Sequence, residues 1–344
     1  MLRVISINQS KEWDEVVSSF ANYDVYYLSG YVKAFMLNGD GEPILFYYNE
    51  NCTRGINVVM MRDVAEDCRF HERIAYKQFF DFSTPYGYGG WLIEGEKTDQ
   101  LFKEYERWCV EHRVVSEFVR FHPVINNHFS SRLFYETITL GPTVSIDLSS
   151  KERAWNSLSS KNRNVIRKAI NNGIIIRQGL SNSLIGVFKR IYEGTMNERQ
   201  ADGYYFFNNS FYNSILNDLG NNATIFYAQK EERIIAAAII IYANGMLNYH
   251  LSGSIKEFQN LAPTNLLLWK VVEWGCDNGG KTFHLGGGVG CKEDSLFHFK
   301  RAFNREELCE YRIGKRIFIQ DEYDALVSLS GVTSESFFPQ YRAK

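Results

Sequence analysis

Lys281–Phe303 reads KTFHLGGGVGCKEDSLFHFKRAF. A short apolar run stops at three glycines, which let a backbone come close to another group. A compact helix follows that Asp294 or Ser295 can cap. On that helix Leu296, Phe299 and Phe303 are spaced to form one apolar face, and Lys300 falls at its edge, where an ammonium either reaches for water or is held for chemistry. Gly286, Gly288 and Gly290 give G-x-G-x-G without a helix opening at once, which excludes a dinucleotide fingerprint. His284, Cys291 and His298 stand seven apart, a spacing that fits no usual zinc site, and no metal is expected. With no G-x-S-x-G and no local Cys/His signature, covalent catalysis is not indicated.

Working outward, the order of elements repeats. Lys11–Phe20 has helical character, and YDVYYLSGYVKAFML (23–37) continues it with a break at Ser29 and Gly30. ILFYYNE and GINVVMMRD are strand-like around a turn, YKQFFDF is a third strand, TDQLFKEYERWCVEHRV (98–114) has helical spacing, and EFVRFHPV is a strand. The second half runs the same way: a helix at 184–198, then YYFFNNSFYNSILNDL (204–219), read as a helix beginning at Tyr204, Tyr205 and Phe206. The hairpin ATIFYAQK/RIIAAAIIIY, the strand MLNYHLSGS, a loop, the helix TNLLLWKVVEWGCDNGG and the strand KTFHLGG complete it. ELCEYRIG and RIFIQ are two further strand-like runs. This is an internal duplication of one α/β (α+β) unit, with mixed, mostly antiparallel sheets flanked by helices. The expected domains are 1–148, joined by the C-terminal segment 317–344, and 149–316, which carries the donor and catalytic site.

A net charge of -2 gives no global attraction for nucleic acid. One local patch departs from that balance: KERAWNSLSSKNRNVIRKAINNGIIIR (151–177) holds seven basic residues and one acid, a local +6. Ser159 or Ser160 can cap a helix there and Gly173 can end it, with Val165, Ile166, Ala169 and Ile170 on the buried side. Arg163 and Arg167, four apart, share a face suited to phosphate oxygens. Six cysteines without a CxxC pair fit reduced thiols, and MLRVISINQSKEW lacks a signal-peptide core, so a cytoplasmic protein is expected. The longest apolar run, 234–243, is about half of what a membrane span needs and reads as a buried strand.

Other candidates follow from position. IKEFQNLAPTN (255–265) joins a strand to an apolar helix, where free main-chain N–H groups can bind a pyrophosphate or an acyl carbonyl. Gln259, Ala262 and Thr264 take the places of a Q/R-x-x-G-x-G/A loop, and Asn265 follows at the helix start. Tyr249 and His250 are neighbours on a strand and are expected on opposite faces, one toward a cleft. With 25 Phe and 21 Tyr in the chain, aromatic residues are available to line a site; Tyr205 in the second copy, and Tyr86 and Tyr88 of STPYGYGG in the first, are candidate acceptor contacts.

SKNRNVIRKAINNG, NYHLSGS, QNLAPTNLLLWKVVEWGCDNGGKTFHLGGG and LFHFKRAF, in this order, resemble the FemAB family of tandem GNAT-fold transferases, within the BioF2-like acetyltransferase superfamily. The resemblance implies two GNAT-like domains and transfer of an acyl or aminoacyl group to an amine of a cell-envelope precursor, a peptidoglycan peptide or an amino sugar of a surface polysaccharide. It implies aminoacyl-tRNA or acyl-CoA as donor, with no tightly bound cofactor. The implied acceptor is a nucleotide- or lipid-linked glycan or peptide, met in the cleft between the copies or at the inner membrane surface. Lys300 matches the family's FK-x-x-F lysine, implying stabilisation of the carbonyl oxygen in the tetrahedral state. The chain lacks the long charged coiled-coil insertion that some of these transferases use for tRNA, and its loop lacks the glycines of a strong acyl-CoA site, so the donor stays open. An acetyl-CoA-dependent N-acetyltransferase and a non-catalytic glycan- or nucleotide-binding module are the alternatives.

Overall fold

The computed structural model describes residues 1–334 and 336–343. In chain order the elements begin with β1 (Leu2–Ser6), α1 (Ser10–Ser18), α2 (Ser29–Asn38), β2 (Glu42–Glu50), β3 (Thr53–Asp63), β4 (Phe80–Ser83), β5 (Leu92–Glu94), α3 (Asp99–Glu111), β6 (Val114–Arg120) and α4 (His128–Ser131). They continue with β7 (Glu136–Asp147), α5 (Lys151–Ser157), α6 (Ser160–Asn171), β8 (Ile174–Gly179), α7 (Asn182–Glu198) and α8 (Asn209–Asn217). The last are β9 (Ala223–Lys230), β10 (Arg233–Ala243), β11 (Met246–Ser254), α9 (Pro263–Asp277), β12 (Thr282–Gly286), α10 (Ser295–Arg301), β13 (Cys309–Ile317) and α11 (Gln320–Ser330). Contacts divide the chain into one unit of Met1–Leu140 with the chain from Tyr311 onward, and a second of Gly141–Glu310.

In the first unit the strands pair in the order β1-β2-β3-β4-β6-β13, with β5 on β3. The β2/β3 hairpin forms because both runs alternate in-facing apolar residues and meet at a turn in which Asn51 and Cys52 take positive φ. Tyr105 and Cys109 of α3 bury against Phe46, Phe82 and Trp91. Residues after β13 return to the same unit: Tyr323 and Leu326 of α11 and Tyr341 pack with Phe70 and Val115.

The second unit orders its strands β7-β12-β11-β10-β9-β8. The mixed α/β class and the repeated order expected from sequence are present, with α1, α2, β2, β3, β4, α3 and β6 matched by α7, α8, β9, β10, β11, α9 and β12. Helix α9 is buried on several sides, Leu266, Leu267, Leu268, Val271 and Val272 lying between the sheet and the helices α5 and α6. Each such side chain is worth about 1.5–3 kcal/mol of burial. The run 234–243 is the interior strand β10, as its apolar length demands.

Several local expectations need correction. Ser29 and Gly30 start α2 and do not break it, because Leu28 is extended and Ser29 is fixed by Asp14, which accepts from its N–H and hydroxyl at 2.8 Å. Tyr204, Tyr205 and Phe206 do not begin α8; Asp202 caps a single 3₁₀ turn over Gly203–Tyr205, and Asn208 caps the helix. ELCEYRIG and RIFIQ form one strand, since Gly314 extends β13 under the Phe121 ring, where a Cβ would sit 2.7 Å away. On α6 the buried face is Asn162, Ile166 and Ala169; Ile170 is 52% exposed, and Val165 only partly covered. Helix α5 has no counterpart among the sequence expectations; Ser150 caps it by accepting from Arg153 N–H at 3.1 Å.

Candidate active site

The site grows from a fork in the second sheet. Strands β11 and β12 run parallel and pair only at Met246–Thr282, Leu247–Phe283 and Asn248–His284. Beyond that point β11 continues to Ser254, while β12 peels away. Two irregularities cause the parting: an extra residue, His250, on β11 between the partners of Ile239 and Ile240, and a shift on β12 between His284 and Gly286. Gly286 then takes φ +77, and Gly287 lies so near Pro142 O that a Cβ would stand at 2.9 Å. The glycines of the opening stretch therefore turn the chain out of the sheet.

Lys300 comes back onto that turn. It lies on the buried face of α10 with Phe297, not at the edge, and its Nζ donates to Gly287 O at 2.7 Å. Burial drives its pKa down to about 8, against the pull of Asp294 and with a further push from Arg199. One donated hydrogen bond leaves two N–H bonds of the ammonium for another acceptor. Asp294 fixes the approach. Its carboxylate caps α10 by accepting from Phe297 N–H at 2.9 Å and holds the turn by accepting from Val289 N–H at 3.1 Å. Those hydrogen bonds, the first from Phe297, keep its pKa below the usual carboxylate range. Gly288 is obligatory beside it, because a Cβ would fall 2.4 Å from Asp294 Oδ1 and 2.0 Å from Lys292 O.

The other end of α10 is gripped by the joint between α5 and α6. Ser159 N–H and the Asn162 amide donate to Ala302 O at 2.9 and 3.3 Å, and the Ser157 hydroxyl donates to Phe303 O at 3.3 Å. Arg163 belongs to this scaffold: its guanidinium donates to Leu158 O at 2.6 Å and Ser160 Oγ at 3.1 Å, closing the end of α5. Arg167 is exposed, lies over Trp155 at 5.5 Å and donates to Asn164 at 3.1 Å.

On the β11 wall, the extra residue upsets simple alternation. Tyr249 packs on the α9 side of the core, and burial raises its pKa while Ser252 and Arg199 lower it. Burial takes His250 down to about 3, so its imidazole is neutral and a poor proton acceptor. Arg199, just after α7, acts on both Tyr249 and Lys300 and had no signal in the sequence beyond being one arginine among many. Asp294 was visible as a cap, but its second bond, to the glycine turn, was not.

The segment before α9 is a 3₁₀ turn over Lys256–Leu261, not an open loop. Ala262 takes φ +58 and ψ +44, a left-handed conformation that favours glycine, and Pro263 opens α9 without a side-chain cap. Gln259 donates to Ser254 Oγ at 3.3 Å, Asn265 donates to Asn162 Oδ1 at 2.8 Å, and Thr264 is half-buried. Lys168 of the basic helix donates to Asn260 O at 3.2 Å, so the patch borders this turn. Tyr205 is exposed in its own turn. In the first unit, the backbone carbonyl of Tyr86 accepts from Tyr31, and the Tyr88 ring meets Tyr26 at 5.6 Å and His122 at 5.6 Å.

Residues 160–301 match a family model described as an acetyltransferase (GNAT) domain, which covers α6 through α10 and supports an acyltransferase of GNAT type. A crystal structure of FemX superposes with a TM-score of 0.71 at 12% identity, covering 94% of this chain and 99% of that one. A tandem GNAT protein from the clavulanic acid biosynthesis pathway gives 0.50 at 6% identity, over 92% and 99%. The C-terminal domain (DUF2156) assigned to a lysylphosphatidylglycerol synthetase from Agrobacterium fabrum gives 0.53 at 12% identity, over 90% and 92%. No curated protein sequence matches the chain. The resemblance to FemAB and tandem GNAT proteins thus holds at the level of fold along nearly the whole chain. No helix among the described residues is long and apolar enough to cross a membrane.

Proposed function

We propose that this chain, which shares the FemX fold and carries a GNAT acetyltransferase match over α6–α10, transfers an acyl or aminoacyl group to an amine of a cell-envelope precursor. The observation that carries the reading is the open β11/β12 fork with a buried lysine at its rim. The acyl carbonyl enters the fork beside the uncapped start of α9, and the acceptor nitrogen attacks the carbonyl carbon. The C=O electron pair moves onto oxygen, and the remaining Lys300 N–H bonds stabilise that oxyanion in a low-dielectric setting. Collapse re-forms the carbonyl, expels a CoA thiolate or a tRNA ribose oxygen and releases the amine proton, giving an amide. With a pKa near 8, Lys300 is mostly cationic at neutral pH, as this role requires. An ordinary amine of pKa about 8 has a usable free-base fraction there, so His250 need not act as base.

Lys168 beside the turn before α9, with Lys161 and Arg167 on the same helix, gives a phosphate-bearing donor a basic approach. Both acyl-CoA and aminoacyl-tRNA meet that description. The experiment is incubation with acetyl-CoA and with charged tRNA separately, together with an envelope peptide or amino sugar, following amide formation by mass spectrometry. Product from one donor identifies it. Saturable acceptor binding with no product from either donor would replace the transferase reading with a binding module.

A further inference from the structure

The lysines of this chain are not held alike. Lys151, Lys189 and Lys270 each meet a carboxylate, from Asp277, Glu193 and Glu273. Among the described residues Lys300 is the buried lysine, and no carboxylate stands within ion-pair distance of its Nζ. Phe297 and Phe303, three residues before and after it, are buried with it, and its hydrogen bond goes to a neutral group, Gly287 O, at 2.7 Å. Both oxygens of Asp294 at the start of its helix are already taken, by Phe297 N–H and Val289 N–H. A buried ammonium without a carboxylate gives up its proton readily, because burial penalises the charged form. The charged groups that act on it are Asp294 and Arg199, and they oppose one another, which leaves burial in command. Cys291, in the same turn, offers no rival nucleophile, since burial raises its thiol pKa.

We infer that Lys300 is itself an acyl acceptor: when the fork holds a donor and no amine substrate, the donor acylates Nζ and the enzyme is switched off. An N–H donor within about 2.9 Å of a carbonyl oxygen stands at most about 4 Å from the carbonyl carbon, because C=O is about 1.23 Å long. Bond formation starts from about 3–3.5 Å, so a small swing about the Gly287 O contact brings the nitrogen to the carbon. The lone pair of the neutral amine forms the C–N bond, and the C=O pair moves onto oxygen and returns. The bond to the CoA sulfur or the tRNA ribose oxygen then breaks with its electrons. The proton lost by nitrogen ends on that leaving group, giving N-acyl-lysine and free CoA or tRNA. The amide carries no charge, so the cation that stabilises the oxyanion is lost. This inference rests on the transferase reading for the donor, and on the setting of Lys300 for its reactivity.

Incubation of the unaltered protein with acetyl-CoA and with charged tRNA separately, acceptor omitted, tests it by peptide mapping. The peptide containing Lys300 should gain one acetyl or aminoacyl group from the donor that serves transfer. Activity should fall in step, and added acceptor should slow both. A pH series uses p-nitrophenyl acetate, an activated ester that needs no donor site. Its rate at Lys300 should be about tenfold higher at pH 9 than at pH 7 and flatten from there, whereas exposed lysines, of ordinary pKa about 10.4, go on accelerating. Asp294→Asn, which removes the charge favouring the ammonium, should raise the rate at pH 7 several-fold. Label spread over exposed lysines with Lys300 unmodified, or a Lys300 rate that never flattens, overturns the inference. If p-nitrophenyl acetate labels Lys300 and no donor yields amide on any acceptor, the transferase reading falls and the reactive lysine stands. If amide forms on an acceptor while the same donor alone leaves Lys300 unmodified, self-acylation falls alone.

Discussion

The two units run the same elements to opposite ends at the place where their parallel strands meet. In the first, β4 and β6 stay zipped from Phe80–Val114 to Ser83–Phe118, and a bridge at Gly89–Phe121 extends the closure. Arg120 stitches it further, its backbone N–H donating to Thr84 Oγ1 at 3.1 Å and its guanidinium to Thr84 O at 3.2 Å. In the second, β11 and β12 part after Asn248–His284. Buried ionisable groups near these strands also differ between the units. Glu117 on β6 is fully enclosed and accepts from Tyr135 at 2.8 Å, and from Tyr105 and Asn57 at 3.0 Å. Lys300 keeps spare donors beside an opening. The two copies therefore differ where their parallel strands meet: four pairs and a further bridge in the first, three pairs and then a parting in the second.

The largest effect expected is on turnover. Lys300→Ala should lower kcat by about 10²–10³-fold with acceptor KM little changed, as removal of an oxyanion donor does. With the free-base form of the acceptor held at constant concentration, the activity of the unaltered enzyme should fall as pH rises through about 8, where the Lys300 amine loses its charge. A rate that rises through that pH at constant free-base acceptor would reverse the role and make the neutral Lys300 amine the base. Unchanged turnover in Lys300→Ala would remove the functional half of the contrast.

Next comes stability in the closed unit. Burial raises the Glu117 carboxyl to about 7 from 4.5, against the hydrogen bonds that favour its charged form. Between those values the native state binds more protons than the unfolded chain. The contribution is therefore full below about 4.5 and is lost as pH rises through 7, by about 3 kcal/mol at 1.36 kcal/mol per unit. Denaturant titrations from pH 5 to 8 should show that decline, and Glu117→Gln should flatten it without touching transfer. An equal loss of activity in Glu117→Gln would mean that the first unit is no mere scaffold.

Smaller changes sharpen the picture of how Lys300 is held. Asp294→Ala should cost about 1–2 kcal/mol as a lost cap and also reduce kcat, because the glycine turn is freed with the helix. Asp294→Asn, which keeps an acceptor oxygen but removes the charge, should move the alkaline limb of the pH profile downward. Least affected should be the basic helix: Arg163→Ala costs about 1 kcal/mol in thermal melts through its bonds to α5, whereas Arg167→Ala changes stability by less than about 0.5 kcal/mol. Only Arg167→Ala should then alter the salt dependence of donor binding, and the reverse assignment would put Arg163 back among ligand contacts.

Much of this architecture was legible because it is periodic. Strand-like apolar runs at β2, β3, β9 and β10 and helical spacing in α3 and α9 repeat in one order, and that order exposes the duplication. The fork itself was not legible. It depends on His250 being supernumerary on β11, which no local pattern in NYHLSGS announces, because a bulge is defined by its partner strand. Lys300 stood out through its apolar neighbours, yet its burial depends on Gly287 O, thirteen residues earlier, arriving within 2.7 Å. For Arg163 the sequence shows a cation on a basic helix, and the carbonyls at the end of α5 that accept from it are visible only in the fold. The turn at Lys256–Leu261 reads as a loop in the sequence because 3₁₀ geometry has too short a run to leave a spacing signal.

The enclosed carboxylate Asp81 on β4 accepts from Arg62 at 2.7 Å, from Tyr341 at 3.1 Å and from Arg342 at 2.5 Å. Two of those three donors are translated after the whole of the second unit. On the ribosome, the half of the protein that emerges first is thus the half that is finished last: Asp81 must wait in an incomplete sheet until the 141–310 segment, continuous in the chain, has been made. Synthesis halted before Tyr341 would leave the first unit with a buried acid short of two of its three partners.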